Sequence, residues 1–225
     1  MSLQDRLDAF KEDFESGNPP YNIPRTMIDA FHRSTAALVA SGQAERALRA
    51  GDVAPDFTLG GSDGTLVSLL DLLAKGPAVL TFFRGAWCPY CNLELSALQD
   101  AVPEIVARGA SLVAISPQTA PHSRKSIRQH NLTFPMLSDA GGELAAKFGL
   151  RWKLSEEMIG VHKTLGADLE AFNGNSSWTL PMPARYIIDR DRVLAYSEIN
   201  PDYTKRPNPS ELLPTLDLLA SRRAA

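Results

Sequence analysis

The chain contains two cysteines, Cys88 and Cys91, and both fall in one Cys-Pro-Tyr-Cys. Two thiols in a single Cys-x-x-Cys point to redox or metal chemistry in a reducing compartment. A secreted disulfide framework would spread more cysteines along the chain. The surrounding order is informative: Leu80-Thr81-Phe82-Phe83-Arg84-Gly85-Ala86-Trp87-Cys88-Pro89-Tyr90-Cys91-Asn92-Leu93-Glu94-Leu95. It reads as a buried strand, a short loop, the first cysteine and a helix. A cysteine at a helix N-terminus faces unpaired amides and the positive end of the dipole, which favour the thiolate. Pro89 suits the first helical turn, where no amide donor is needed. Three residues on, Cys91 lies over the same helix face at roughly 5–6 Å between Cβ atoms. That separation permits a disulfide with modest adjustment. The spacing therefore predicts Cys88 as an exposed nucleophile and Cys91 as a more buried resolving thiol. Arg84, at the strand exit, adds positive potential. Trp87 and Tyr90 shield the thiols and shape the mouth of the site, with simple core packing as their competing reading.

Two other readings of the pair compete with redox chemistry. Inert filler cysteines do not explain an aromatic-Cys-Pro-aromatic-Cys between a strand and a helix. A structural zinc site needs four ligands, and only His32, His122, His130 and His162 are available to supplement the thiols. None of them forms a short-spaced pair, so no metal is expected. The chain carries no Gly-x-Gly-x-x-Gly and no phosphate loop, so no flavin or nicotinamide cofactor is expected either. Glu156-Glu157 reads as solvated surface.

The elements that must position the thiols follow from the rest of the chain. It has 225 residues, 44% hydrophobic and 22% charged, with a net charge of −3. That is one ordinary globular domain with an extension. The charge excludes a global pull toward nucleic acid or an anionic membrane. Asp5, Arg6 and Asp8 break up the first residues where a secretory leader would be basic and then apolar, so a cytoplasmic protein is expected. Leu3, Leu7, Phe10 and Phe14 make one helical stripe, and a second helix starts at Pro24 and carries Met27, Ile28, Phe31, Leu38 and Val39. Residues 1–48 are thus expected as a helical extension, packed on the domain or on a second subunit. A homodimer is left open. Residues 49–225 alternate strand and helix and close on a hairpin around Asp189-Arg190-Asp191. The expected class is α/β with a mixed central sheet flanked by helices.

At this point the sequence resembles the thioredoxin-like superfamily, and within it the peroxiredoxin-like proteins of the alkyl hydroperoxide reductase/thiol-specific antioxidant group. Gly51-Asp52-Val53-Ala54-Pro55-Asp56-Phe57-Thr58-Leu59 is similar to the entry of that group. Trp87-Cys88-Pro89-Tyr90-Cys91 resembles the thioredoxin and glutaredoxin active site. Pro183-Ala184-Arg185-Tyr186-Ile187-Ile188-Asp189 resembles the late strand that opens, in thioredoxin folds, with a cis-proline facing the thiols. The resemblance implies a thioredoxin-like fold, a cis bond before Pro183, and Trp178 to Pro183 as the wall opposite the thiols. Arg185, two residues past Pro183, then faces the same side and supplies charge; a solvated surface arginine is the alternative. There are departures. The group carries a proline seven residues and a Thr or Ser three residues before its cysteine, where this chain has Thr81 and Gly85. The arginine that opens its late strand is here Pro183.

Three functions are carried forward. The first is a thiol peroxidase: Cys88 reduces hydrogen peroxide or an organic hydroperoxide, Cys91 resolves it, and thioredoxin, a glutaredoxin-type protein or a small thiol recycles the disulfide. The second is a thiol–disulfide oxidoreductase acting on protein or glutathione disulfides, which the absence of a hydroxyl at Gly85 favours. The third is a non-catalytic redox sensor.

Overall fold

The computed structural model describes residues 1–224. Two helices come first. α1 (Leu3–Glu15) is opened by a capping box, in which Ser2 accepts from the Asp5 amide and Asp5 accepts from the Ser2 amide. Each reciprocal bond satisfies an amide the helix leaves unpaired. α2 (Arg25–Ala40) starts after Pro24, whose extended backbone turns the chain into the helix.

The sheet elements follow: β1 (Thr58–Gly61), β2 (Leu66–Ser68), α3 (Leu69–Lys75), β3 (Ala78–Phe82), α4 (Pro89–Ala107), β4 (Ser111–Ser116), α5 (Ala120–His130) and β5 (Met136–Ser138). Then come α6 (Glu143–Lys147), β6 (Arg151–Lys153), α7 (Glu156–Thr164), α8 (Leu169–Asn173), β7 (Thr179–Pro181), β8 (Ala184–Ile188), β9 (Leu194–Ile199) and α9 (Leu213–Ala224). Seven strands form one sheet in the order β2-β1-β5-β4-β3-β8-β9. β3, β4 and β5 run parallel; β8 pairs antiparallel with β3, and β9 with β8. The sheet is mixed and flanked by helices, as the alternation of elements implies. β6 and β7 form a separate two-stranded ribbon that the sequence pattern does not announce. Three-residue strands are too short to show a period of two.

β3 sits inside the sheet, and all five of its residues are buried. Its alternation separates two cores. Ala78, Leu80 and Phe82 face one cluster, while Val79 and Phe83 face the other, together with Cys88, Cys91, Leu95 and Leu98. Successive side chains of a strand point to opposite faces, so the register of β3 decides which core receives α4. Each buried leucine on α4 contributes about 1.5–3 kcal/mol.

The arm joins this architecture at every core. Leu3 and Leu7 belong to the cluster under α4, Leu38 to the cluster on the opposite face, and Ala30 to a third around Met158, Trp178 and Leu180. Among the described residues, no helix is long and apolar enough to cross a membrane.

Candidate active site

Cys88 is the N-cap of α4, with Pro89 in the first turn. Its own amide donates to the Gly85 carbonyl at 3.1 Å, which fixes the tight turn out of β3. Both cysteines are free thiols. Burial opposes ionisation of Cys88, yet the neighbouring Cys91 thiol and amide, with the Arg84 and Arg206 charges, outweigh it and lower its pKa to about 6. Cys91 moves the other way. Burial and its bond to Cys88 push its thiol well above the ordinary value. The pair and its two arginines thus separate two identical groups, Cys88 toward thiolate and Cys91 toward thiol.

Cys88 is not exposed. It is 1% accessible, and Cys91 is fully covered. Both thiols sit in the core under α4 with Leu95, Leu98 and the arm's Leu3 and Leu7, and Phe10 meets Tyr90 edge-on at 5.0 Å between ring centroids. Cys88 instead lines a pocket of about 270 Å³ with Arg84, Trp87, Pro89, Tyr90, His162 and Tyr203. Phe10, Phe14, Tyr21, Ile23 and Phe31 close it from the arm, and Leu165 and Ala167 from α7 and beyond.

Arg84 is the cation of this site. Its Nη1 donates to Cys88 Sγ at 3.8 Å and its Nη2 to His162 Nε2 at 3.4 Å. An arginine only donates, so His162 accepts at Nε2 and donates Nδ1–H to the Met158 carbonyl at 2.8 Å. Burial, then the Arg84 charge, lower the His162 pKa to about 4, so the ring is neutral at neutral pH. The guanidinium lies 4.0 Å from the Tyr203 ring centroid and 4.8 Å from that of Trp87. It is 3% exposed, and among the described residues it pairs with no carboxylate. A buried guanidinium without a carboxylate is unfavourable unless another anion sits beside it. The Cys88 thiolate is that anion.

Arg185 is placed elsewhere. It is fully buried on β8, so the solvated reading does not apply, and it is not among the residues that line the pocket. Its Nε donates to Glu94 Oε1 at 2.9 Å. The second oxygen of Glu94 accepts from Arg206 Nε at 2.6 Å. Glu94 lies one turn beyond Cys91 on α4, so it captures Arg185 beneath the helix and away from the mouth. The second cation acting on Cys88 is Arg206, which sequence reasoning missed. Nothing in Lys205-Arg206-Pro207 marks it, because its role comes from a loop packing back over α4.

Pro183 also departs from expectation. The one cis peptide among the described residues is Pro19–Pro20, so the bond before Pro183 is trans. Pro183 does not line the pocket, and its carbonyl accepts from the Asn200 amide. Trp178 is not the opposite wall either. It packs with Met158, Leu169 and Leu180, and its indole donates to Glu170. The wall opposite the thiols comes from the arm.

Gly85 has a local cause. A Cβ at this position would meet Trp87 Nε1 at 2.4 Å and Cδ1 at 2.9 Å. The indole takes the space of a side chain at 85, and its N–H is buried with no partner. Gly85→Thr is therefore expected to destabilise the protein by about 1–3 kcal/mol through overpacking. Measured against Trp87→Ala alone, adding Gly85→Thr should cost less in urea unfolding than it does in wild type, the remainder being backbone strain at the positive φ of residue 85. An equal cost in both backgrounds would show that the indole is not the obstacle.

Known proteins share the fold and part of the sequence. A putative peroxiredoxin of Mycobacterium tuberculosis is 34% identical over 117 residues, covering 52% of this chain and 76% of that protein. Thiol-disulfide oxidoreductase ResA of Bacillus cereus is 24% identical over 162 residues, covering 72% of this chain and 75% of that protein. The crystal structure of peroxidoxin BcpB from Mycobacterium tuberculosis superposes with a TM-score of 0.61 at 27% identity, over 76% of this chain and 98% of that one. The fold is thioredoxin-like. Residues 50–197 match the AhpC/TSA family, and the chain belongs to that family.

Proposed function

We propose that this thiol peroxidase works through Cys88 and Cys91 as follows. The Cys88 thiolate attacks the distal oxygen of ROOH. The O–O bond breaks, Cys88 becomes a sulfenic acid and RO⁻ leaves to take a proton. Cys91 then attacks the Cys88 sulfur, a disulfide forms and water departs. Two electrons from a thioredoxin, a glutaredoxin-type protein or a small thiol restore both thiols. The observation that carries this reading is Arg84, a buried cation whose hydrogen bonds go only to Cys88 and a neutral histidine. It holds the thiolate before reaction and faces the oxygen that gains charge during it. Trp87, Pro89 and Tyr90 shape the approach, while Arg185 and Arg206 hold α4 through Glu94. The division into an arm (1–48) and a redox domain (49–225) is part of this reading, supported by a family match that begins at residue 50. Two cysteines confined to one Cys-x-x-Cys favour the cytoplasm as its compartment.

A thiol–disulfide oxidoreductase is the second reading. The likeness to ResA favours it. The Arg84 cation beside Cys88, placed to stabilise a departing oxygen, favours the peroxidase over it.

Stopped-flow mixing of reduced protein with hydrogen peroxide, read by tryptophan fluorescence, separates the two. Fast stoichiometric oxidation is expected, lost in Cys88→Ser. Cys91→Ser should oxidise once and halt at the sulfenic acid, seen by dimedone labelling and intact mass. Wild-type oxidation no faster than free cysteine would reject the peroxidase, and normal turnover by Cys91→Ser would reject the resolving step.

A further inference from the structure

The pocket over Cys88 is closed by residues that lie before the start of the family match at residue 50. Phe10 comes from α1 and Phe31 from α2. The two helices are joined through Phe14, whose ring centroid is 5.8 Å from Phe10 and 6.1 Å from Phe31. Phe31 also meets His162 edge-on at 5.9 Å and Tyr203 at 6.4 Å. These contacts reach both sides of the Arg84 guanidinium, since His162 bonds it and Tyr203 stacks on it. The floor of the pocket is therefore ionic and its walls are aromatic.

A hydrogen peroxide molecule uses only the floor. With two heavy atoms it has no apolar group to place against Phe10 or Phe31 when it reacts at Cys88. A wall of this kind adds rate only for a substrate with an apolar group beyond the peroxide. At about 270 Å³ the space lies just below the roughly 300–1,000 Å³ usual for small-molecule sites. It matches one ring-sized group better than a long acyl chain, most of which would lie outside it. Aromatic rings bind such a group edge-on or offset, the same geometries Phe10 and Phe31 already adopt with Tyr90 and His162.

We propose that the N-terminal arm is the specificity element of this enzyme, with Phe10 and Phe31 selecting compact aryl hydroperoxides over hydrogen peroxide and over long-chain hydroperoxides. The inference rests on the peroxidase reading and goes beyond it. The chemistry is that already written: R is the aryl group, the arm holds it, and RO⁻ leaves beside Arg84 and is protonated by solvent.

The test compares second-order rates of Cys88 oxidation by hydrogen peroxide, cumene hydroperoxide and linoleic acid hydroperoxide, on the full-length chain. Wild type should react fastest with cumene hydroperoxide. The ratio of its rate to that of hydrogen peroxide should fall about tenfold in Phe31→Ala and in Phe10→Ala, the usual scale for a missing apolar contact. Phe31→Leu keeps an apolar core residue and loses the ring, so it covers the case in which the alanine variant folds poorly. Its ratio should fall by an intermediate factor. Oxidation of all variants with an unchanged ratio overturns this inference and leaves the peroxidase intact. A wild-type preference for linoleic acid hydroperoxide or hydrogen peroxide overturns it as well. No reaction with any of the three removes the peroxidase reading itself, and this inference with it.

Discussion

Glu94→Gln is expected to destabilise the protein by about 3–5 kcal/mol, the cost of removing one partner from a buried ion pair. The carboxylate is 2% exposed and is the one anion bonded to two guanidinium groups, Arg185 and Arg206, which are buried with it. Three further nitrogens of those groups, Arg185 Nη1 and Nη2 and Arg206 Nη2, have no hydrogen-bond partner in the protein. The other carboxyl near both arginines is Glu198 on β9, which burial pushes up to about 7, so it replaces the lost charge only in part. Glutamine keeps the shape and one acceptor but not the charge, so the loss is mainly electrostatic. Urea unfolding should show a lower midpoint with the slope preserved. An acid limb should change too. Burial tends to raise the Glu94 pKa, but Arg206 and Arg185 outweigh it and the carboxyl ends below its ordinary value. A folded-state pKa below the unfolded one adds stability above the unfolded value and loses it as pH falls through the folded one. Glu94→Gln should lack that part of the acid-induced loss. A midpoint within experimental error of wild type would mean the cluster does not hold α4.

This cluster also marks where the sequence stops being readable. Cys-Pro-Tyr-Cys after a buried strand specifies the turn, the N-cap and the stacked thiols, because each depends on residues within a few positions. β3 is equally legible, since Ala78 to Phe83 is continuous and apolar. Arg185 is not. The alternation of β8 places it on the α4 face, but only Glu94, across the sheet in α4, decides that it turns inward to an ion pair. Gly85 is intermediate: its departure from the family pattern is visible, yet its cause is the orientation of the Trp87 indole. The apolar stripe of α1 shows that Leu3, Leu7 and Phe10 are covered. It does not show that Phe10 covers Tyr90 beside a catalytic sulfur. That information lies in helix packing over long sequence separations, and a stripe looks the same whether it lands on core or on a pocket.

Arg84→Met should raise the alkylation midpoint of Cys88 from about 6 toward the ordinary thiol value of about 8.5 and slow peroxide reduction at neutral pH on the order of 10²–10³-fold. Methionine fills the aromatic slot between Trp87 and Tyr203 and removes only the charge and the donors. Two effects are combined in that loss, and pH separates them. A depressed pKa makes Cys88 mostly thiolate at neutral pH, and the variant regains that population as pH rises past its new midpoint. Stabilisation of the departing oxygen does not return with pH, because it needs a cation or donor at the floor of the pocket. Single-turnover oxidation should therefore stay well below wild type at a pH where alkylation shows both proteins fully ionised. Arg84→Lys sharpens the comparison: it keeps a charge but loses the fork that reaches Cys88 and His162 together. Its alkylation midpoint should stay closer to wild type than its peroxide rate does. Full recovery of Arg84→Met at high pH would confine Arg84 to thiolate formation. An unchanged midpoint and rate would remove it from the chemistry, leaving Cys91 and Arg206 to favour the anion alone.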